Sequence, residues 1–87
     1  MNKDRFIVEQ IIKHNGLTSK QVAEKCEEKF NITKIFCYER LYALKKYNYI
    51  YADGTRLYKG KVYPFWKVTD VGKKNIDNLK DNIVKMD

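Results

Sequence analysis

Apolar side chains recur every three or four residues through the first half of the chain, which is the spacing of amphipathic helices. In the first segment Ile7, Val8 and Ile11 fall near one face, and Asn15-Gly16 is a signal for the end of the helix. The pattern predicts helices over residues 3–14, 19–30 and 34–47, to within a residue or two. Three amphipathic helices of this length predict one domain with a shared core.

Polar residues mark where the second and third helices begin. Thr18 and Gln21 stand at the two ends of a capping box, in which each side chain bonds the backbone near the other residue. Thr33 is a suitable N-cap for the third helix, because its hydroxyl can accept from the first turn. Two amphipathic helices joined by a three-residue turn predict a helix-turn-helix, with the second of them as the recognition helix.

Strand-forming residues dominate after Asn48 and predict a hairpin of two or three strands over residues 49–68. Asp53-Gly54 and Lys59-Gly60-Lys61 are the turn signals, and the second of them is the expected tip. Pro64 cannot donate to a strand ladder, so it is expected at an edge or a bulge.

The end of the chain predicts a strand that runs directly into a helix over residues 70–86. Thr69 is the expected N-cap, and Asp70 suits the positive end of the helix dipole. Four apolar residues spaced by three, four and three form a narrow seam on this helix, which is a candidate dimerisation surface: Ile76, Leu79, Ile83 and Met86.

The recognition helix has an inner face of Cys37, Leu41 and Leu44, and its other side is open to a partner. The candidate binding residues on this helix are Lys34, Ile35, Tyr38, Glu39, Tyr42, Lys45 and Lys46. The candidate binding residues on the hairpin are Arg56, Lys59 and Lys61.

Charge is concentrated in the same part of the chain. The length of 87 residues predicts a single domain spanning residues 1–87. Its net charge of +7 predicts a strongly basic surface. Residues 33–68 contain eight lysines and arginines against two acidic residues, whereas residues 69–87 are neutral. A local excess of this kind favours a polyanionic partner, because phosphate contacts release bound counterions.

Several other functions are not supported by the sequence. Cys26 and Cys37 lack a paired C-x-x-C spacing, so no zinc site is expected, and the two are interpreted as reduced core thiols or as a redox pair across packed helices. No glycine-rich phosphate loop or nucleophile–histidine arrangement is present, so neither an enzyme nor a cofactor is expected. The apolar runs are too short to span a bilayer, and the expected location is the cytoplasm.

Two segments of the sequence resemble a known family. They are the run from Leu41 to Ile50 and the passage Val68-Thr69-Asp70-Val71-Gly72, and both resemble winged-helix regulators of the PadR and MarR type. The resemblance implies an α+β winged helix-turn-helix, with a three-helix core, a β-hairpin wing and a C-terminal helix. Asn48 stands where these families often carry glycine, and asparagine also tolerates a left-handed backbone.

The same resemblance implies sequence-specific binding of duplex DNA as a transcriptional regulator. The recognition helix would enter a major groove, and the wing would reach the adjacent backbone or minor groove. Regulators of this type use terminal helices to form dimers, so a homodimer is expected.

Two alternatives remain open. Ile35, Tyr38 and Tyr42 on a surface are also typical of a protein-binding patch, as in a small inhibitor or adaptor from a mobile element. RNA binding by the basic face is the other alternative, and the sequence does not separate it from DNA binding.

Overall fold

The computed structural model describes residues 3–78, in which three helices precede a β-hairpin and a short final helix. The elements are α1 (Lys3–Lys13), β1 (Leu17–Thr18), α2 (Ser19–Phe30), α3 (Lys34–Lys46), β2 (Ile50–Tyr58), β3 (Lys61–Val68), α4 (Asp70–Lys74) and a 3-10 turn (Ile76–Asn78). The sheet has the order β1-β3-β2, with neighbouring strands antiparallel. The predicted α+β class is confirmed. None of the described helices has the length and apolar character needed to cross a membrane.

Threonine begins each of the helices α2, α3 and α4. The hydroxyls of Thr18, Thr33 and Thr69 accept hydrogen bonds from the third backbone N–H of their helices. At Thr18 the Gln21 side chain also accepts from the Thr18 backbone, which completes the predicted capping box. These bonds satisfy donors that the start of a helix leaves unpaired, and they fix where each helix begins.

Asparagine lies at the ends of α1, α2 and α3. Asn15, Asn31 and Asn48 have φ values of 54°, 57° and 66°, in the left-handed region. Asparagine tolerates this conformation better than most residues, so the chain can reverse direction after each helix. Asn48 therefore supplies the turn for which glycine is common in the resembling families.

The core lies between the helices and one side of the sheet. The buried apolar residues are Ile7, Val8, Ile11, Leu17, Val22, Ala23, Cys26, Cys37, Leu41, Leu44, Ile50, Trp66 and Val68. Trp66 is 1% exposed, and its indole N–H donates to the Ser19 hydroxyl at 2.7 Å. This hydrogen bond satisfies the one polar atom of the ring and ties β3 to the start of α2.

Two thiols meet inside this core, one from each helix of the helix-turn-helix. Cys26 of α2 and Cys37 of α3 are each 0% exposed, and both are free cysteines. The hydrogen bond between them, together with burial, raises the pKa of the Cys37 thiol well above its usual range. Both cysteines are therefore core residues, as the sequence predicted.

The sheet differs from the prediction at two places. Leu17 and Thr18 form a two-residue strand that pairs with β3, which the sequence had not indicated. Asp53-Gly54 does not form a turn: β2 continues through it, with a shift of register between Ala52 and Thr55. Pro64 pairs with Thr55 directly beside this bulge, where a missing N–H is tolerated, as predicted.

The junction between β3 and α4 holds the wing to the end of α3. The Thr69 hydroxyl donates to the Asn48 carbonyl at 2.7 Å and accepts from the Gly72 N–H at 2.9 Å. A Cβ atom built on Gly72 would lie 2.3 Å from the Tyr49 carbonyl oxygen. The backbone at Gly72 therefore approaches the backbone at Tyr49 more closely than a residue with a Cβ atom at position 72 would allow.

The predicted continuous helix over residues 70–86 is wrong within the described part, because α4 ends at Lys74. The Asn75 side chain donates to the Val71 carbonyl at 2.8 Å and competes with helical backbone bonds. Ile76 follows in the 3-10 turn and packs against the core of its own chain. The other seam residues, Leu79, Ile83 and Met86, lie outside the described residues.

Candidate nucleic-acid interface

Helix α3 presents an open face whose side chains are exposed. Ile35 in the first turn is 65% exposed, and Tyr42 in the third turn is 57% exposed. Glu39 lies between them on the same side and is also exposed. Lys34 at the start of α3 and Lys45 and Lys46 at its end are exposed as well. The structure thus brings six of the seven candidate residues of this helix to its surface.

Tyr38 is the exception. It is partly buried and packs against the core, so it does not belong to the open face to which the sequence had assigned it. Loss of hydration raises the pKa of its phenol, and the nearby Tyr63 and Glu24 add to that effect. The helical wheel places Tyr38 at the border of the inner face, and neighbouring elements determine which way a border residue packs.

Tyr42 is held in place by the sheet. Its ring meets the Trp66 ring edge to face, with centroids 5.9 Å apart and planes at 90°. This geometry is favourable for aromatic quadrupoles. Tyr42 is therefore an exposed aromatic whose ring is fixed at its inner edge.

Arg40 does not contribute its charge to the open surface. Its Nε atom lies 3.4 Å from an oxygen of Asp4, and the two side chains are 15% and 1% exposed. The guanidinium also lies 5.8 Å from the centre of the Phe36 ring. Arg40 counted toward the basic excess of residues 33–68 in the sequence, but the structure uses it to join α3 to α1.

On the wing, two of the three candidate cations have internal partners. Arg56 stacks on the Phe65 ring, with its guanidinium carbon 4.2 Å from the ring centre. The Lys59 ammonium lies 2.7 Å from a carboxylate oxygen of Glu24 on α2. Lys61 is exposed at the tip.

Glu24 is a residue of this region that the sequence did not identify. Its other carboxylate oxygen accepts from the Tyr58 hydroxyl at 2.6 Å, so both oxygens hold the wing tip against α2. The hydrogen bonds from Lys59 and from Tyr58 lower the pKa of Glu24. A contact between residues more than 30 positions apart leaves no signal in local sequence patterns.

Glu24 also faces the start of α3. A cavity of about 420 Å³ between α2 and the first residues of α3 is lined by Lys20, Ala23, Glu24, Glu27, Thr33 and Lys34. The wing tip, the outer side of α2 and the start of α3 therefore form one continuous surface that carries both signs of charge. Among residues 3–78 no group of three or more histidine, cysteine or acidic side chains is arranged to hold a metal ion.

Comparison with solved structures shows that this architecture is the winged helix-turn-helix fold. A candidate transcriptional regulator from Thermoplasma acidophilum is similar over 97% of this chain and 79% of its own, with a TM-score of 0.70 and 15% sequence identity. The fold that the sequence resemblance implied is thus confirmed.

The second similar structure is Bacillus subtilis PadR in complex with operator DNA. It matches 87% of this chain with a TM-score of 0.66 and 15% identity, and this chain spans 44% of the PadR chain. No protein-family model matches the sequence, and the search of curated proteins found no match. At these identities the likeness concerns the fold.

Proposed function

We propose that this chain is a transcriptional regulator that binds duplex DNA, with α3 in a major groove and the wing beside it. The observation that carries the proposal is the open face of α3, where Ile35, Glu39 and Tyr42 are exposed between basic residues at both ends of the helix. An α-helix fits the width of a major groove, and the fold is shared with a protein solved on its operator.

The exposed side chains divide into two roles under this proposal. Lys34, Lys45 and Lys46 neutralise phosphates on either side of the groove, which gives affinity without sequence preference. Glu39 accepts a hydrogen bond from a cytosine amino group, and Ile35 and Tyr42 contact thymine methyl groups. The open face lacks the arginine or asparagine that most often reads purines, so its expected operator contacts are to pyrimidines.

The test is binding to a pool of random-sequence duplex DNA at several salt concentrations, followed by sequencing of the retained molecules. We expect affinity to fall steeply with salt and the retained pool to share a short motif. The salt slope is the slope of log affinity against log salt concentration, and Lys45→Gln and Lys46→Gln should each make it shallower by about 0.9. Lys13→Gln removes an equivalent charge from α1 and should leave the slope unchanged. Failure of the wild type to bind at low salt would refute the proposal.

A homodimer is part of the proposal, because two recognition helices would read two half-sites about one DNA turn apart. Ile76 packs within its own chain, so the dimerisation residues proposed now are Leu79, Ile83 and Met86. Leu79→Asp is expected to give a monomer with much weaker DNA binding, measured by light scattering and by titration. An unchanged mass in solution would remove Leu79 from the interface.

A second candidate function is supported by the apolar part of the same face. Ile35 at 65% exposure and Tyr42 at 57% are large side chains of the kind found at protein interfaces. In that case α3 would dock on another protein, and the chain would act as a small inhibitor or adaptor. Binding that persists at high salt and does not require nucleic acid would favour this function over DNA binding.

A further inference from the structure

One acidic side chain lies in the middle of the open face of α3. Glu39 is exposed, five residues after Lys34 and six before Lys45, which are exposed as well. At about 1.5 Å per residue, the two lysines lie roughly 8 and 9 Å away along the helix axis, toward its two ends. Phosphate repels a carboxylate and attracts lysine, so in a major groove Glu39 belongs over the base edges and the lysines belong at the two phosphate backbones.

The neighbours of Glu39 on this face are apolar. Ile35 precedes it by four residues and Tyr42 follows it by three, so the three side chains lie in one row along the helix surface. Ile35 and Tyr42 are both exposed large side chains. None of the ion pairs within residues 3–78 involves Glu39. The row therefore presents a carboxylate acceptor with an apolar group on each side.

The base edges of the major groove differ in how well they fit this row. A carboxylate only accepts hydrogen bonds, so Glu39 can bond the amino group of cytosine or that of adenine. In adenine the amino group lies beside N7, an acceptor that repels the carboxylate, whereas in cytosine it lies beside the carbon C5. Cytosine is therefore the better partner. A methyl group at C5 would lie next to the bonded amino group, within reach of a side chain one helical turn from Glu39.

Ile35 is the side chain that best suits such a methyl group. It lies in the first turn of α3, and recognition helices contact base edges with their N-terminal residues. Tyr42 lies in the third turn, and its ring is held at its inner edge by Trp66.

We infer that the open face of α3 recognises 5-methylcytosine, with Glu39 accepting from its amino group and Ile35 covering its methyl group. The inference rests on the proposed function and deepens it by naming the base that this face distinguishes. Thymine offers the methyl group without the amino group, and unmodified cytosine offers the amino group without the methyl. 5-Methylcytosine offers both on one base, so in methylated DNA Ile35 contacts the base that Glu39 bonds rather than a neighbouring thymine.

The experiment begins with two pools of random-sequence duplex DNA, one made with cytosine and one with 5-methylcytosine, each selected for binding. A duplex retained from the methylated pool is then titrated in three forms, which carry cytosine, 5-methylcytosine or N4-methylcytosine. The N4-methyl group replaces the amino hydrogen that faces the major groove, so it removes the donor that Glu39 requires. Ile35→Ala removes the apolar cover, and Ile12→Ala on α1, where Ile12 is 39% exposed, is the matched control.

The wild type should bind the 5-methylcytosine form about fourfold more tightly than the cytosine form, equal to about 0.8 kcal/mol for one buried methyl group. It should bind the N4-methylcytosine form about tenfold more weakly than the cytosine form, because the carboxylate loses its donor. Ile35→Ala should bind the cytosine and 5-methylcytosine forms equally, whereas Ile12→Ala should keep the wild-type ratio. Glu39→Met should no longer distinguish N4-methylcytosine from cytosine. Each comparison is a ratio between two forms of one duplex, so a general change in stability or in phosphate attraction cancels.

Three results would overturn this inference while leaving the proposed function intact. The first is equal or weaker binding of the 5-methylcytosine form by the wild type. The second is equal binding of the cytosine and N4-methylcytosine forms. The third is a 5-methyl preference that Ile35→Ala retains, because the preference would then come from the shape of methylated DNA. If neither pool yields bound duplex at low salt, the proposed function fails and the inference fails with it.

Discussion

The buried ion pair between Asp4 and Arg40 allows a strong prediction about stability. Replacing Asp4 by asparagine keeps the shape of the side chain but removes the charge opposite the guanidinium, which is 15% exposed and 3.4 Å away. Arg40 cannot give up its own charge, so its desolvation is no longer compensated. Breaking a pair of this kind costs about 3–5 kcal/mol.

That cost is large for this chain. A domain of 87 residues has a free energy of unfolding of about 4–13 kcal/mol, at 0.05–0.15 kcal/mol per residue. Asp4→Asn is therefore expected to lose about a quarter of the stability or more. Replacing both partners, as in Asp4→Leu/Arg40→Leu, leaves no buried charge and should restore most of what the single change removes.

The assay is urea unfolding followed by the fluorescence of Trp66, the only tryptophan of the chain and 1% exposed. Free energies of unfolding are compared only between variants whose free energy depends equally steeply on urea concentration, so that changes in the unfolded state are not mistaken for lost contacts. Glu9→Gln is the matched control, because Arg5 and Glu9 are also 3.4 Å apart but 39% and 49% exposed. It should cost less than about 1 kcal/mol.

Two outcomes would refute this reasoning. If Asp4→Asn costs no more than Glu9→Gln, burial does not strengthen the interaction at this site. If the double leucine variant loses as much stability as Asp4→Leu and Arg40→Leu lose in sum, the two side chains do not act as a pair.

The remaining predictions concern the wing and its base. Gly72→Ala should lower the melting temperature, because the added Cβ would lie 2.3 Å from the Tyr49 carbonyl oxygen; a rise, as expected for alanine in an open helix, would contradict the close approach. Hydrogen bonds from Lys59 and Tyr58 lower the pKa of Glu24, so the charged carboxylate stabilises the folded state. This stabilisation is fully present above the ordinary pKa of 4.5 and is lost as the pH falls through the lowered pKa. The stability difference between wild type and Glu24→Gln should therefore shrink in melts taken at successively lower pH, and a constant difference would argue against the contact. Glu24→Gln should also bind DNA more tightly at low salt, with a slope steeper by about 0.9 because Lys59 is released to phosphate; an unchanged slope in the same titration would show that Lys59 stays engaged.

Local features of the fold could be predicted from the sequence because their signals are local. The spacing of apolar residues, the threonine caps and the left-handed asparagine at position 48 act within one or two helical turns, and the structure reproduces them. The Asp53-Gly54 signal failed because pairing with β3 absorbed it as a bulge. Strand β1 was missed since two residues carry no periodicity of their own.

The state of the charges could not be predicted in the same way. The sequence counts Arg40 and Lys59 as two more cations of a basic region, yet each meets a carboxylate about 35 residues away. Such partners are brought together only by tertiary packing. The exposed residues of α3, by contrast, follow from helical geometry alone, except for Tyr38 at the border of the inner face.

The thiol contact in the core makes opening of the helix-turn-helix measurable by chemistry. Cys26 and Cys37 are the only cysteines of the chain, one on each helix of the motif, and neither is exposed. A thiol reagent can reach them only when the core around them opens, so the rate of alkylation reports how often the native protein opens there. The same rate, measured with and without DNA, would show whether a bound operator clamps the two helices together, with no label added to the protein.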